Sequence, residues 1–300
     1  MAISTTSTLS NSLPVFKASA RLKLKQTGVT RKRVDTVRLA AGAGLTYNEP
    51  QIANFSVLAL SQGVDMSQAQ TVSDTNVAIT VAEAGGQVVI TDLAVRALKD
   101  PIMRRIGEGL ANAYSNYVDN DLTSLFSGFD AGFGSAGSSF TSGWIYAAQS
   151  RLQNASRPVS GEITVILHPY HYRDIAADLA STFSGAWVTS TGTPAVERTT
   201  GSSITGLTEE VWKNYWVTRL GGADVLIDPT ISIDASDDSY SAIFARDALI
   251  FVEYEEPEME EERDASLRST ELNYVGTQGR GEREGTWGFY FLADSTAPTA

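Results

Sequence analysis

The 300-residue sequence contains no cysteine. That single absence excludes a disulfide framework, a thiolate metal site and a cysteine nucleophile. It suits a protein that folds in a reducing compartment. Histidine is nearly as scarce, with His168 and His171 the whole supply. No run approaches the ~18 uninterrupted apolar residues of a membrane span. The longest apolar segment near the C-terminus, 242–252, is broken by Arg246 and Asp247. The N-terminus also lacks the apolar core of a secretory signal, being rich in serine and threonine from Ser4 to Ser12.

Positive charge is short as well, but unevenly so. The chain carries 23 basic and 35 acidic residues, a net of −12. Residues 1–45 hold eight cations (Lys17, Arg21, Lys23, Lys25, Arg31, Lys32, Arg33, Arg38) against Asp35 alone, a net of +7, which leaves −19 on the other 255. A generally basic nucleic-acid binder is thereby excluded. What is present is a cationic arm on an acidic body. The arm's Ser/Thr-rich, acid-poor start is open to two readings, an organelle transit peptide or an extended segment fixed only by a partner.

Alternating stretches at 34–39 and 77–81 predict strands with one wet face. Between them, Tyr47-Asn48-Glu49-Pro50 and Ser61-Gln62-Gly63 read as turns. The segment from Gly28 to about Thr80 is too polar to build a core of its own, and is expected to be a long β-loop that packs on something else. Ala84-Gly85-Gly86-Gln87 reads as the close of a hairpin. Thr91 is expected to cap a short helical turn. Asp100 and Pro101, an N-cap followed by proline, open a long amphipathic helix to Phe126 with Ile106, Leu110, Tyr114, Val118 and Leu122 on its apolar face. Gly107 and Gly109 inside that helix predict close packing against a neighbour. Further elements are a helix over 143–155, an apolar strand at 163–167 and a helix around 173–183. A surface loop or hairpin is expected at 184–208. Strands are predicted at 211–217, 225–227, 242–244, 249–254, 271–275 and 287–292. The order does not alternate, so the class is α+β rather than a doubly wound nucleotide fold.

Few motifs carry chemistry. Gly132-Phe133-Gly134-Ser135-Ala136-Gly137 matches the dinucleotide fingerprint in letters, but it follows a long helix inside a Gly/Ser loop and reads as a connector. His168, His171 and Asp174 are the candidate metal ligands, two imidazoles and a carboxylate at near-helical spacing. No second ligand cluster accompanies them, and no metal, cofactor or catalytic residue is assigned. Asp119 and Asp121 point to different sides of a helix and are not a paired acid/base site. Finally, 253–264 packs eight carboxylates into twelve residues. It reads as a solvated run or as an answer to basic groups on another molecule. Arg31, Lys32, Arg33 and Arg38 are the suspected partners of Glu255, Glu256, Glu258, Glu260, Glu261 and Glu262, in contacts between copies of the chain.

The stretch 82–92 leading into Ile106-Gly107-Glu108-Gly109-Leu110-Ala111-Asn112-Ala113, with Tyr117-Val118-Asp119-Asn120-Asp121-Leu122 closing the helix, has a family look. So do Val165-Ile166-Leu167-His168-Pro169-Tyr170, Ala245-Arg246-Asp247-Ala248-Leu249, Glu262-Arg263-Asp264 and Gly285-Thr286-Trp287-Gly288-Phe289. In this order they resemble the major capsid protein of tailed bacteriophages, the Hong Kong 97 fold. The resemblance implies an N-terminal arm over 1–30, an extended E-loop over 31–80, and a P-domain over 81–140 with a spine helix at about 101–126. An A-domain over 141–244 and a return to the P-domain over 245–300 complete it. It implies a structural protein rather than an enzyme: pentamers and hexamers of one chain closing an icosahedral shell around double-stranded DNA, held without sequence specificity. Portal, scaffolding or decoration proteins are the further partners implied, with no membrane. The implied place is the virion, assembled in the host cytoplasm. Some members join subunits covalently through lysine and asparagine, but residues 39–98 contain no lysine. An encapsulin-like compartment, an organelle-imported protein and a metal-dependent enzyme are the alternatives.

Overall fold

Ile163–Leu167 carries apolar residues on both of its faces, with Thr164 its one polar member, so a strand built from it must be covered on both faces. A computed structural model of the chain describes residues 29–40, 42, 44–52, 55–57, 59, 62, 69–97, 102–154, 159, 161–185 and 219–297. In it this strand, β6, lies inside a six-stranded sheet. In chain order the strands are β1 (Asp35–Arg38), β2 (Thr46–Ile52), β3 (Asp74–Thr80), β4 (Ala82–Thr91), β5 (Gly132–Gly134), β6, β7 (Arg219–Leu220), β8 (Ala223–Ile227), β9 (Asp238–Ala245), β10 (Leu249–Asp264), β11 (Ser269–Glu282) and β12 (Gly288–Asp294). The α-helices are α1 (Asp92–Ala97), α2 (Ile102–Thr123), α3 (Ser142–Gln153) and α4 (Pro169–Gly185).

The six-stranded sheet runs β5-β12-β9-β6-β8-β7, with mixed pairing. Alternation along β6 assigns its faces: Val165 and Leu167 meet Ile145, Leu152 and Ile175 of α3 and α4, while Ile166 meets Leu122 and Phe126 below α2. Leu122 and Phe126 are fully buried, and truncating either to alanine is worth about 2–5 kcal/mol. The second sheet runs β1-β10-β11-β4. Its strand β10 repeats the device, with Leu249 and Phe251 toward α2 and Ile250 and Val252 toward the opposite side. The helix α2 therefore bridges the two sheets.

Thr46–Ile52 and Asp74–Thr80 pair as a two-stranded ribbon. Its base is buried: Ile79 and Val81 pack on Ile250 and Val252, with Tyr47 and Val77 beside them. The predicted turn at 47–50 is strand instead. Pro50 lies opposite Asn76, which is tolerated because each strand of a ribbon is an edge. Ala84–Gln87 likewise is no turn. It sits inside β4, where Gly85 and Gly86 face Val275 and Tyr274. A Cβ on Gly85 would stand 2.6 Å from the Tyr274 carbonyl, so the glycines permit strand-to-strand approach rather than chain reversal.

Helix α2 gives way at Ser124 to a tighter 3-10 turn ending at Gly128. Met259 closes on Gly107, within 2.5 Å of where a Cβ would stand, whereas Gly109 faces open space; the packing argument holds for the first glycine only. Helix α4 starts four residues before the expected 173, with Pro169 at its first position, where a missing N–H costs nothing. The expected cap is present at α1, where the Ala94 N–H donates to Thr91 Oγ1 at 3.4 Å. Asp100–Pro101, 1–28 and the strand expected at 211–217 lie outside the described residues, as does all but the first part of 184–208.

Candidate functional site

The segment at the root of the arm is pinned at three points. The Val29 N–H and the Thr30 hydroxyl both donate to Asp228 Oδ2, at 3.0 and 2.7 Å. The Arg31 N–H donates to Asp119 Oδ1 on α2 at 2.9 Å, and the Arg31 guanidinium meets Glu253 Oε1 on β10 at 2.8 Å while stacking over Phe251. Burial pushes the Asp119 carboxyl up, opposed by the Arg31 amide. Arg33 reaches Asp224 at 3.3 Å and Glu162 at 3.5 Å, and Arg38 pairs with Glu253 and Glu256. Three of the four cations singled out in the sequence thus have partners within their own chain; Lys32 is exposed. The 3-10 turn at 30–33 leads into β1, which pairs with β10, and the two-stranded ribbon begins at Thr46.

A second junction holds the ribbon. From the end of β11, Arg283 Nη2 donates to Asp35 Oδ2 at 2.8 Å, and its Nε lies 2.8 Å from Glu49 Oε1. The Gln51 side chain donates to the Arg283 carbonyl. Two carboxylates facing one guanidinium raise its pKa, although burial opposes that shift. Beyond this junction Ile52, Phe55, Val57 and Val72 are exposed apolar residues on or beside the ribbon's far end, Val57 to 98%.

The acidic run takes a form that composition did not suggest. It is not a loop but the far half of β10, paired with β11 from Glu255↔Thr277 to Asp264↔Ser269. Register shifts around Pro257 mark a bulge. Past Glu253, where β1 stops pairing, this half of β10 is an edge strand. Glu255, Glu256, Glu258, Glu260, Glu261 and Glu262 are exposed along it. Charge at an edge prevents strand addition by another chain, which gives the run a physical reason independent of any cationic partner. Its tip is tied back by Arg263, which grips Asp92 through two bonds of 2.5 and 2.7 Å.

The histidines do not form a ligand set with Asp174. His171 is fully buried, and its Nε2 must donate to the Ala293 carbonyl at 3.1 Å, because a carbonyl only accepts. Its Nδ1 then accepts from the Ser241 hydroxyl at 2.7 Å, and that hydroxyl accepts from the His168 N–H at 3.0 Å. Ser295 and Ser239 complete the network around Nε2. The His168 Nδ1 accepts from the Tyr170 N–H at 3.3 Å. Asp174 is engaged by its neighbour Arg173 at 2.8 Å. Burial pushes His171 down, and burial with the adjacent His171 pushes His168 down to about 4. The His171 ring ties α4 to β9 and β12, the His168 main-chain N–H ties the end of β6 to β9, and the His168 ring caps the first turn of α4. Among the described residues no group of three or more His, Asp or Glu side chains is placed to hold a metal.

The fingerprint-like glycines are structural too: Gly132–Gly134 is β5, paired with β12, and both glycines lie under Tyr290, Trp144 or the Leu292 carbonyl. Asp119 and Asp121 diverge as expected, toward Arg31 and Arg280. Asp35, Glu49, Asp228 and Arg283 were not singled out by the sequence, and no local signal could have found them. Arg283 and Asp35 are 248 residues apart.

Arm root, ribbon and sheet edge are thus each held by hydrogen bonds or ion pairs between segments far apart in the sequence. No curated protein matches the chain. Among solved structures it is similar to one from Mycobacterium phage Che8 (TM-score 0.69, 14% identity, 91% of this chain and 93% of that one). It is similar to the capsid of cyanophage Pam1 (0.68, 11%, 93% and 95%) and to the acid-stable capsid of Helicobacter pylori bacteriophage KHP30 (0.67, 7%, 99% and 99%). At such identities the likeness is one of fold, and it bears out the expected capsid-type α+β architecture. A family model described as phage capsid protein matches residues 74–284, and the chain accordingly belongs to the phage capsid protein family.

Proposed function

We propose that this chain is the major head protein of a tailed phage, copies of which associate as pentamers and hexamers into an icosahedral shell around double-stranded DNA. The observation that supports it most is coverage: the capsid-type fold takes in 91–99% of the chain in the structures compared. The role is structural, and its place is the virion.

The finer points belong to the same proposal. The chain divides into an arm over 1–30, a loop over 31–80, a P-domain over 81–140 and 245–300, and an A-domain over 141–244. The exposed apolar far end of the ribbon supports contact with a neighbouring copy. Exposed Glu258, Glu260, Glu261 and Glu262, with Lys32, are the charges free to meet other copies, while Arg31, Arg33, Arg38 and Glu256 act first within the chain. A net charge of −12 leaves little phosphate binding, so DNA is enclosed rather than gripped by sequence. Portal, scaffolding or decoration proteins complete the particle, assembled in the host cytoplasm.

Negative-stain microscopy of the chain, expressed alone and with its neighbouring genes at low and high salt, tests this. Closed shells are expected, with charge contacts weakening as salt rises. Monomers persisting under every condition would overturn the proposal. Shells that enclose a protein cargo and never nucleic acid would replace it with a compartment.

A further inference from the structure

The β10–β11 hairpin ends in a turn, 265–268, that lies beside α1, because β4 pairs with β11 as far as Thr91↔Ser269 and α1 follows at Asp92. Asp92 fastens the two. Its N–H donates to the Arg268 carbonyl at 2.9 Å, and its carboxylate takes the Arg263 guanidinium. Arg263, with Arg96 and Arg268 behind it, holds that carboxyl below the usual carboxylate range. This end of the sheet is a patch of two kinds of residue. Leu93 and Leu267 are 66% and 44% exposed on it. Arg96 and Arg268 are exposed beside them, with no side-chain partner among the described residues. Arg268 also has a φ of 52°. Backbone in that left-handed region favours glycine or asparagine, so the turn itself does not account for an arginine there.

The far half of β10 offers the complement. Glu258 and Glu260 are exposed on an edge strand, and neither has an ion-pair partner among the described residues. Met259 between them is 45% exposed. Glu256, by contrast, already meets Arg38. The chain's own tip cannot answer these two carboxylates. Glu260 and Glu258 lie four and six residues back from Asp264, where the strand ends, or roughly 13 and 20 Å along it. The Debye length at physiological ionic strength is about 8 Å. Two guanidiniums around two leucines, and two carboxylates around a methionine, are matched surfaces that a single chain holds apart.

We propose that the tip formed by Leu93, Arg96, Leu267 and Arg268 docks on the β10 edge of a second copy of the chain, with its cations facing Glu258 and Glu260 of the partner subunit and its leucines against Met259 of the partner subunit. The two leucines favour a protein surface over phosphate, which would answer the cations alone. Because tip and edge are different surfaces, the contact is heterologous. Each copy gives one and receives one, so the contact repeats from copy to copy and closes where the rotation allows. The inference rests on the shell reading and adds which surfaces meet.

Charge swaps in the full chain test it. Arg96→Glu with Arg268→Asp, and separately Glu258→Arg with Glu260→Arg, are each expected to raise the concentration at which shells form about tenfold, with the melting temperature of the unassembled chain unchanged. All four substitutions in one chain restore opposite signs, and are expected to return assembly to within about threefold of the natural chain. Should a swap fail to fold, cysteine linking replaces it, since the chain has no cysteine of its own. Chains with Leu267→Cys and chains with Glu258→Cys, mixed before assembly and treated with a short bismaleimide, are expected to join at dimer mass through those two positions. Ser150→Cys in place of Glu258→Cys is expected to give no such link. Half-swapped chains that assemble like the natural one, a fourfold variant that shows no rescue, or shells without the 267–258 link would each overturn this contact and leave the shell reading standing. A tip swap that forms shells normally but releases nucleic acid would assign the tip to phosphate and overturn it too. A natural chain that never assembles would overturn both readings.

Discussion

Arg283 Nε lies 2.8 Å from Glu49 Oε1, joining the end of β11 to the ribbon across the seam between them. The same guanidinium holds Asp35 at the start of β1, so one side chain fixes where the ribbon and the first body strand sit relative to the long hairpin. Arg283 is only 14% exposed, so its removal leaves two partly buried carboxylates facing each other. We expect Arg283→Ala to cost about 2–3 kcal/mol in urea unfolding. Arg283→Lys should recover less than half of it, because a point charge cannot serve two acceptors in the fork geometry. Glu49→Gln, which keeps an acceptor, should cost under about 1 kcal/mol.

The ribbon's base rests on glycines. A Cβ at Gly281 would stand 2.7 Å from Ile79 Cγ1, and one at Gly279 would stand 2.9 Å from the Thr80 carbonyl. Gly281→Val and Gly279→Val should each destabilise by about 1–3 kcal/mol. Gly279 should be the more sensitive, since it meets main chain rather than a side-chain end. Thermal melts report the loss. Limited proteolysis at the 52–73 end of the ribbon should quicken in parallel, and an unchanged digestion rate would show that the base is not what holds it.

Buried histidine makes stability depend on pH. The His168 ring is 6% exposed, and its pKa is depressed from 6.5 to about 4. Below pH 6.5 the unfolded chain takes up a proton there that the folded chain refuses until about pH 4. Stability is therefore fully present above pH 6.5 and falls between those values, by on the order of 2–3 kcal/mol. His171, depressed by burial, acts in the same direction. Unfolding titrations of His168→Gln from pH 7.5 to 4.5 should be flatter than those of the natural chain.

Glu282 acts in the opposite sense. Burial, then Asp130 and Glu284, raise its carboxyl from 4.5 to about 7. The folded chain holds this proton more tightly than the unfolded one, so the contribution is present below pH 4.5 and is lost as pH rises through 7. At pH 8 the ionised group is a liability. Allowing for solvent screening, Glu282→Gln should stabilise the fold by about 1–2 kcal/mol there and leave it unchanged at pH 4. Equal effects at both values would place the cause in packing rather than charge.

Where the local pattern admitted one solution, it was legible. Ile163–Leu167 and the apolar stripe Leu110, Tyr114, Val118 and Leu122 were read as the strand and helix they form, because periodicity and burial are the same fact seen twice. Turn chemistry was the weak point. Gly85, Gly86 and Pro50 carry turn propensity, yet each lies in a strand, because a partner strand or an edge position makes use of the missing side chain or the missing N–H. The acidic stretch was read as a solvated run and six of its glutamates are exposed; what composition does not carry is that pairing with β11 makes them the edge of a sheet.

By itself the sequence determined the chemistry that was missing, the division into a +7 arm and a −19 body, and an α+β order of elements resembling a capsid subunit. Composition and period are properties of the chain alone, and no partner is needed to read them. Only the tertiary structure decided what each charge and each histidine is for. Arg31 meets Glu253 and Arg283 meets Asp35 across 222 and 248 residues of sequence. His171 gives both ring nitrogens to Ser241 and Ala293 rather than to a metal. Such pairings depend on which segments the fold brings together, and local sequence carries no record of that distance.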